Sequence, residues 1–216
     1  MHADLPSDFD AALLGLSLPA VAALALQEAS ALRGDAQAEL AALMRAQAAA
    51  PEHPAVLIAL YRYHFYGHRL QPARAVARRA LVVGARALGL PELWRELPRS
   101  ALPGARHDPG TRFYLFALKG LAYLSLRLGD GAEARDALAL LRALDPEDRI
   151  GAALLEGVRQ RALRRDQTGA DDDADADDAT ATAPAAGSVH AALRQAGLAT
   201  GAAAWAALAP AAGDLP

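Results

Sequence analysis

Residues 115–148 read LFALKGLAYLSLRLGDGAEARDALALLRALDPED, and this stretch decides the fold. Leu118, Leu121 and Ala122 fall on one face of a helix that Gly129 can close, since glycine enters the left-handed region without strain. Ala134, Leu138 and Leu141 then form a second apolar stripe. Asp145-Pro146-Glu147-Asp148 is a helix-start signal: an acid able to cap, a proline with φ preset, and two acids in a positive first turn. Gly129-Asp130 stands as far before Pro146 as Gly34-Asp35 stands before Pro51.

Working outward, Leu26, Leu43 and Ala46 recur at one constant offset as Leu60, Ala77 and Ala80. At a second, longer constant offset they recur again as Leu121, Leu138 and Leu141. An insertion, 88–114, accounts for the longer second step. Ala73 and Ala134 match in the second helix of a unit, and Leu57 and Leu118 match in the first. The units are 20–53, 54–87 and 115–148. The second lacks the Gly-Asp turn and the final proline, and the first has Glu39 where alanine recurs. This pattern resembles the tetratricopeptide repeat, a helix–turn–helix of about 34 residues. The resemblance implies an all-α fold in which repeats stack into a short right-handed solenoid, because one repeat alone cannot bury its apolar face. An irregular helical bundle is the rival architecture. The expected domain runs over 1–165, with a leading helix near 8–18 and a capping helix over 147–165.

Composition agrees with helices. Alanine supplies 57 of 216 residues, arginine outnumbers lysine 21 to 1, and there is no cysteine. Disulfides, thiolate metal sites and cysteine nucleophiles are therefore excluded. Four prolines (Pro91, Pro98, Pro103, Pro109) break the insertion, leaving one short turn over 91–97 with Trp94 as a packing anchor. Charge is split: residues 1–165 carry +4 and residues 166–216 carry −7. Ten arginines within 62–112 face only Glu92, Glu96 and Asp108. Asp171, Asp172, Asp173, Asp175, Asp177 and Asp178 mark 166–187 as a disordered acidic linker. A short, glycine-spotted helix over 189–209 follows, within a terminal segment 188–216. It could dock back on the repeats, bind elsewhere or stay unfolded. The acidic start is unlike a secretory signal, and no apolar run reaches the length of a membrane span, so a cytoplasmic protein is expected.

Chemistry is hard to find. His64 and His68 are four apart on an expected helix and could share a face, as a metal-dependent enzyme would need, but no third ligand accompanies them. His107-Asp108 could orient as an acid–base pair, yet no serine nucleophile or oxyanion loop goes with it. The sequence therefore points to no enzyme, no metal and no cofactor. Recognition is better supported. In tetratricopeptide proteins the first helix of each unit lines a concave groove. The resemblance implies that Leu24 and Glu28, then Ile58, Arg62, Phe65 and Tyr66, then Phe116, Lys119, Tyr123 and Arg127 face it. Cations among aromatics suit a protein or peptide with acidic and apolar groups. Leu24 and Glu28 replace the lysine and asparagine with which the family's chaperone-binding variants clamp a terminal carboxylate, which argues against that partner. Nucleic acid is the alternative, from the arginine density and the aromatics Tyr61, Tyr63, Phe65 and Tyr66.

A narrower resemblance covers about half of the chain. His53-Pro54-Ala55-Val56-Leu57-Ile58-Ala59-Leu60-Tyr61-Arg62-Tyr63, Leu90-Pro91 before Trp94-Arg95, Arg112 to Lys119, and Leu144 to Arg149 carry it. They are similar to small tetratricopeptide proteins encoded near nitrogen-fixation genes in proteobacteria. The resemblance implies an accessory role in nitrogenase assembly or in that gene programme, and no activity or catalytic residue; with the groove reading it points to an adaptor or assembly chaperone.

Overall fold

Most described helix starts in this chain are held by a side chain that accepts the free N–H groups of the first turn, though the starts at Ala20 and Leu70 have no such cap. The computed structural model describes residues 17–100 and 108–169. These residues form seven α-helices and no strand: α1 Ala20–Ala31, α2 Ala36–Ala49, α3 Pro54–Tyr66, α4 Leu70–Ala87, α5 Pro109–Arg127, α6 Gly131–Leu144 and α7 Ala152–Gly169. A single 3-10 turn, Trp94–Glu96, lies between α4 and α5. The all-helical expectation holds for these residues. The expected leading helix before residue 17, the loop 101–107, and the linker and terminal helix beyond residue 169 lie outside the described residues.

Both Gly-Asp pairs work as read. Gly34 and Gly129 take φ of 112° and 78°. Asp35 accepts from the N–H groups of Gln37 and Ala38 at 3.1 and 3.0 Å, and Asp130 from that of Glu133 at 3.1 Å. Where the second unit lacks this pair, His68 enters the left-handed region instead, with φ 55°. The start of α3 uses a cap that the sequence did not announce. His53, only 5 % exposed, accepts the Ala55 N–H on Nδ1 at 3.2 Å. The helices keep the phase: the step from the start of α1 to that of α3, Ala20 to Pro54, equals the step from α2 to α4, Ala36 to Leu70. The step from α4 to α6, which starts at Gly131, is longer because the insertion lies within it.

The chain divides into two compact units between Ala117 and Leu118, inside α5. In the first, α1 packs on α2 through small residues, Ala22, Ala25 and Ala29 against Ala42, Leu43 and Ala46. Alanine faces let helix axes approach closely. Next, α3 pairs with α4 around Leu57, Leu60, Ala73, Ala77 and Leu81, all nearly inaccessible. The Tyr63 hydroxyl donates to the Ala36 carbonyl at 2.6 Å and pins the last turn of α3 to the start of α2. Gly84 has no side chain because a Cβ there would lie 3.3 Å from the Tyr114 ring and 3.4 Å from the Phe113 ring. Trp94 is buried beside α4, as an anchor should be. Arg86 ties the insertion down by ion pairs to Glu92 and Glu52, each 2.8 Å long.

The second unit is built from the end of α5 with α6 and α7. Leu121, Leu124, Ala134, Leu138, Leu141, Leu155 and Val158 fill its interior. Asp130 caps α6 through the Glu133 N–H, and the Glu133 carboxylate accepts from the buried Ser125 hydroxyl at 2.7 Å, which ties the start of α6 to α5. Two boundaries differ from expectation. The first helix of the third unit starts at Pro109 rather than at 115, because Asp108 caps it through the Thr111 N–H at 2.7 Å. The start signal at Asp145-Pro146 does not open α7, which begins at Ala152 and runs past 165 to Gly169. Asp145 instead accepts the Ile150 N–H at 2.8 Å and closes a turn. Asp148, at φ 54°, then caps α7 through Ala152 and Ala153.

Candidate functional site

The expected groove positions fall into two sets, Arg62, Phe65, Tyr66 and Phe116 in the first unit and Lys119, Tyr123 and Arg127 in the second. Their surroundings differ sharply. Phe65 is 3 % exposed and stacks on Tyr61 with centroids 5.6 Å apart. Tyr123 is 1 % exposed, and its hydroxyl accepts from Arg127 at 2.9 Å. Lys119 is 3 % exposed, and its ammonium donates to the Ile150 carbonyl at 2.5 Å. Phe65, Tyr123 and Lys119 are thus interior side chains with structural duties. Arg62, Phe116 and Arg127 are half-buried, and Tyr66 is exposed.

Lys119 shows what that interior costs. Burial pushes its amine down to about 8, against the opposing pull of the Asp148 carboxylate. Its carbonyl partner and Gly151, where a Cβ would lie 3.3 Å from Nζ, belong to the turn before α7. Lysine here is a clasp on that turn.

The accessible part of the predicted surface sits on the first unit. Along α1, Val21 and Leu24 are 66 % and 65 % exposed. Glu28, one turn on, pairs with Arg45 of α2 at 2.5 Å. Beyond the helix end comes exposed Arg33. Arg33 and Arg62 both act on the Tyr66 phenol: partial burial raises its pKa, and the two guanidinium groups oppose that rise, Arg62 more strongly. The Tyr66 ring meets Phe65 edge-on at 5.7 Å, which orients it from within. Val21 and Leu24 thus lie open on α1, and Arg62 and Arg33 act on the Tyr66 phenol at the end of α3. The sequence located Leu24, Arg62 and Tyr66. It missed Arg33, which lies in a turn and outside any helical register.

The other sites read from the sequence do not assemble as pictured. Helix α3 stops at Tyr66, and His68 lies beyond it with a left-handed backbone, so His64 and His68 do not share a helical face. Burial and Arg69 lower the His64 pKa, and its Nδ1 is buried without a hydrogen-bond partner. Among the described residues no group of three or more histidine, aspartate or glutamate side chains is placed to hold a metal ion. Asp108 is engaged as a cap, and His107 lies outside the described residues. Of the four aromatics that suggested base stacking, Tyr61, Tyr63 and Phe65 are core residues. No described helix is long and apolar enough to cross a membrane.

The described residues are all-helical, with Val21 and Leu24 exposed on α1. No family model matches the chain. No solved structure matches it. One curated protein is 44 % identical over 119 residues: an uncharacterized 19.8 kDa protein in the nifW 5′ region of Azotobacter chroococcum mcd 1. The match covers 54 % of this chain and 66 % of that protein's length. It links the chain to a relative encoded beside a nitrogen-fixation gene.

Proposed function

We propose that this protein is a non-catalytic, cytoplasmic adaptor or assembly chaperone serving nitrogen fixation, and that its helix pairs are tetratricopeptide-like repeats stacked as a short right-handed solenoid. The observation that carries the functional reading is the position of its relative in the nifW 5′ region. The repeat reading draws on the equal spacing of helix starts in α1–α4. An adaptor must present a surface for its partner, and Val21 and Leu24 lie open on the first of these helices. Exposed aliphatic groups on an otherwise packed helix suit a face that is covered on binding.

The test is affinity capture with the full-length tagged protein from a nitrogen-fixing host, grown on dinitrogen or on ammonium. A nitrogen-fixation protein should co-purify under the first condition and be lost with Leu24→Asp. Deleting the gene should slow nitrogenase-dependent acetylene reduction. A captured set indifferent to Leu24→Asp, together with unchanged acetylene reduction, refutes the reading.

A further inference from the structure

The joint between α3 and α4 turns on three neighbouring side chains, Tyr63, His64 and Arg69. Helix α4 starts without a side-chain cap, so the connection 67–69 is closed by other means. The Arg69 N–H donates to the His64 carbonyl at 2.8 Å, and His68 takes its left-handed φ of 55°. The Arg69 guanidinium lies over the Tyr63 ring, 4.0 Å from the centroid. It packs so closely on the connection that a Cβ at Gly67 would lie 2.6 Å from Nη2. The same Nη2 reaches the Tyr63 carbonyl at 3.5 Å, and Nε is buried without a hydrogen-bond partner. Arg69 is thus held by a ring face and a carbonyl rather than by a carboxylate. The Tyr63 ring also meets the His64 imidazole edge-on, with centroids 5.3 Å apart.

His64 is half-buried, and its Nδ1 is enclosed with no partner. A neutral imidazole tolerates this, because one of its two nitrogens carries no proton. An imidazolium carries a proton on both, so its Nδ1–H would be buried with no acceptor. It would also set a second positive charge near Arg69. Burial, and after it Arg69, hold the His64 imidazole below its ordinary value of 6.5. Three elements pack on α3. Arg69 at the head of α4 is the charged group that acts on His64, and no described charged group of α1 or α2 does. The other imidazole of the connection, His68, is exposed.

We infer that His64 is a proton-operated latch on this joint. Neutral, it leaves Arg69 seated over Tyr63 and the connection closed. Protonated, it repels Arg69 and needs an acceptor that the closed joint lacks, so 67–69 opens and α3 loosens from α4. The opening reaches α2 as well, because the ring under Arg69 carries the hydroxyl that fastens α3 to the Ala36 carbonyl. The open joint binds the proton more readily than the closed one, so opening grows as pH falls through 6.5 and below. The latch stands apart from the adaptor reading.

Hydrogen exchange of the full-length protein tests it, resolved by NMR at about pH 7.5 and about pH 5 and corrected for intrinsic rates. The Gly67, His68 and Arg69 amides, all hydrogen-bonded in the closed joint, should lose protection several-fold at the lower pH. The ceiling is about thirtyfold, reached when the closed joint excludes the proton altogether. Protection in α6 should hold. His64→Gln, which takes no proton, should abolish the loss, and His68→Gln should preserve it. Arg69→Gln keeps His64 and removes the neighbouring charge, so the His64 imidazole should titrate at higher pH, a readout that survives if His64→Gln does not fold. Equal protection at both pH values in the parent overturns the inference. So does a loss undiminished in His64→Gln, a loss equally large in α6, or a His64 titration unmoved by Arg69→Gln.

Discussion

Lys119 is the chain's single lysine, and it is buried. Its ordinary value is 10.5 and the folded protein holds it at about 8. Below pH 8 both folded and unfolded chains carry the proton, and the folded state bears the full cost of an enclosed charge. Between about pH 8 and 10.5 the unfolded chain binds more protons than the folded one, so stability rises with pH. The rise should approach about 3 kcal/mol at its upper limit. With no cysteine and no second lysine, few other side chains titrate in this window below the tyrosines. Urea denaturation at stepped pH should therefore show an upward slope in the parent and a flat line in Lys119→Met. Helical register placed Lys119, Tyr123 and Phe65 correctly on their helices but said nothing of what lies across from them. Register tells which side chains share a face. Whether that face meets solvent or another element depends on residues distant in sequence. Tyr66, the last residue of α3, is exposed, while Arg62, one turn earlier, is half-buried.

At the scale of the element, starts and stops were largely legible because their causes are local. A glycine with positive φ followed by an aspartate cap is written in adjacent residues, and both Gly-Asp pairs behave accordingly. Asp130→Ala should cost about 1 kcal/mol in chemical denaturation, the usual loss of a side-chain cap. Gly129→Ala should cost about 1–2 kcal/mol, since a Cβ is disfavoured at φ 78°. The Asp-Pro signal at 145–146 misled for a physical reason. The Asp145 carboxylate can cap a helix or close a turn, and here Ile150 N–H takes it at 2.8 Å. The capping role passes to Asp148, whose left-handed backbone no sequence rule anticipates. Hydrogen exchange checks this assignment. Asp148→Ala should speed exchange at Ala152 and Ala153 while leaving the amides of α3 and α4 protected.

At the scale of the whole molecule, residues of one type divide by where the fold sends them. Leu24 is 65 % exposed and Leu121 is fully buried, though both are leucines on α-helices. Leu121→Ala should cost about 2–5 kcal/mol by transfer and cavity terms. Leu24→Ala should change stability by less than about 0.5 kcal/mol. Urea midpoints of the two variants should separate accordingly. The reverse order would mean that Leu24 belongs to a core. Gly84 makes the same point from the opposite side. Nothing in its sequence neighbourhood distinguishes it, yet the Phe113 and Tyr114 rings need the space its missing side chain leaves.

The amino-acid order by itself determined that this is a helical chain, how its helices are phased from one unit to the next, and where most of them begin and end. Those features arise from φ preference, capping and apolar period, all of which act within a few residues. The tertiary structure alone decided which apolar and cationic groups stay open to solvent, and that Lys119 is enclosed. Burial and charge proximity are properties of pairs of elements, and chain order does not specify their separation.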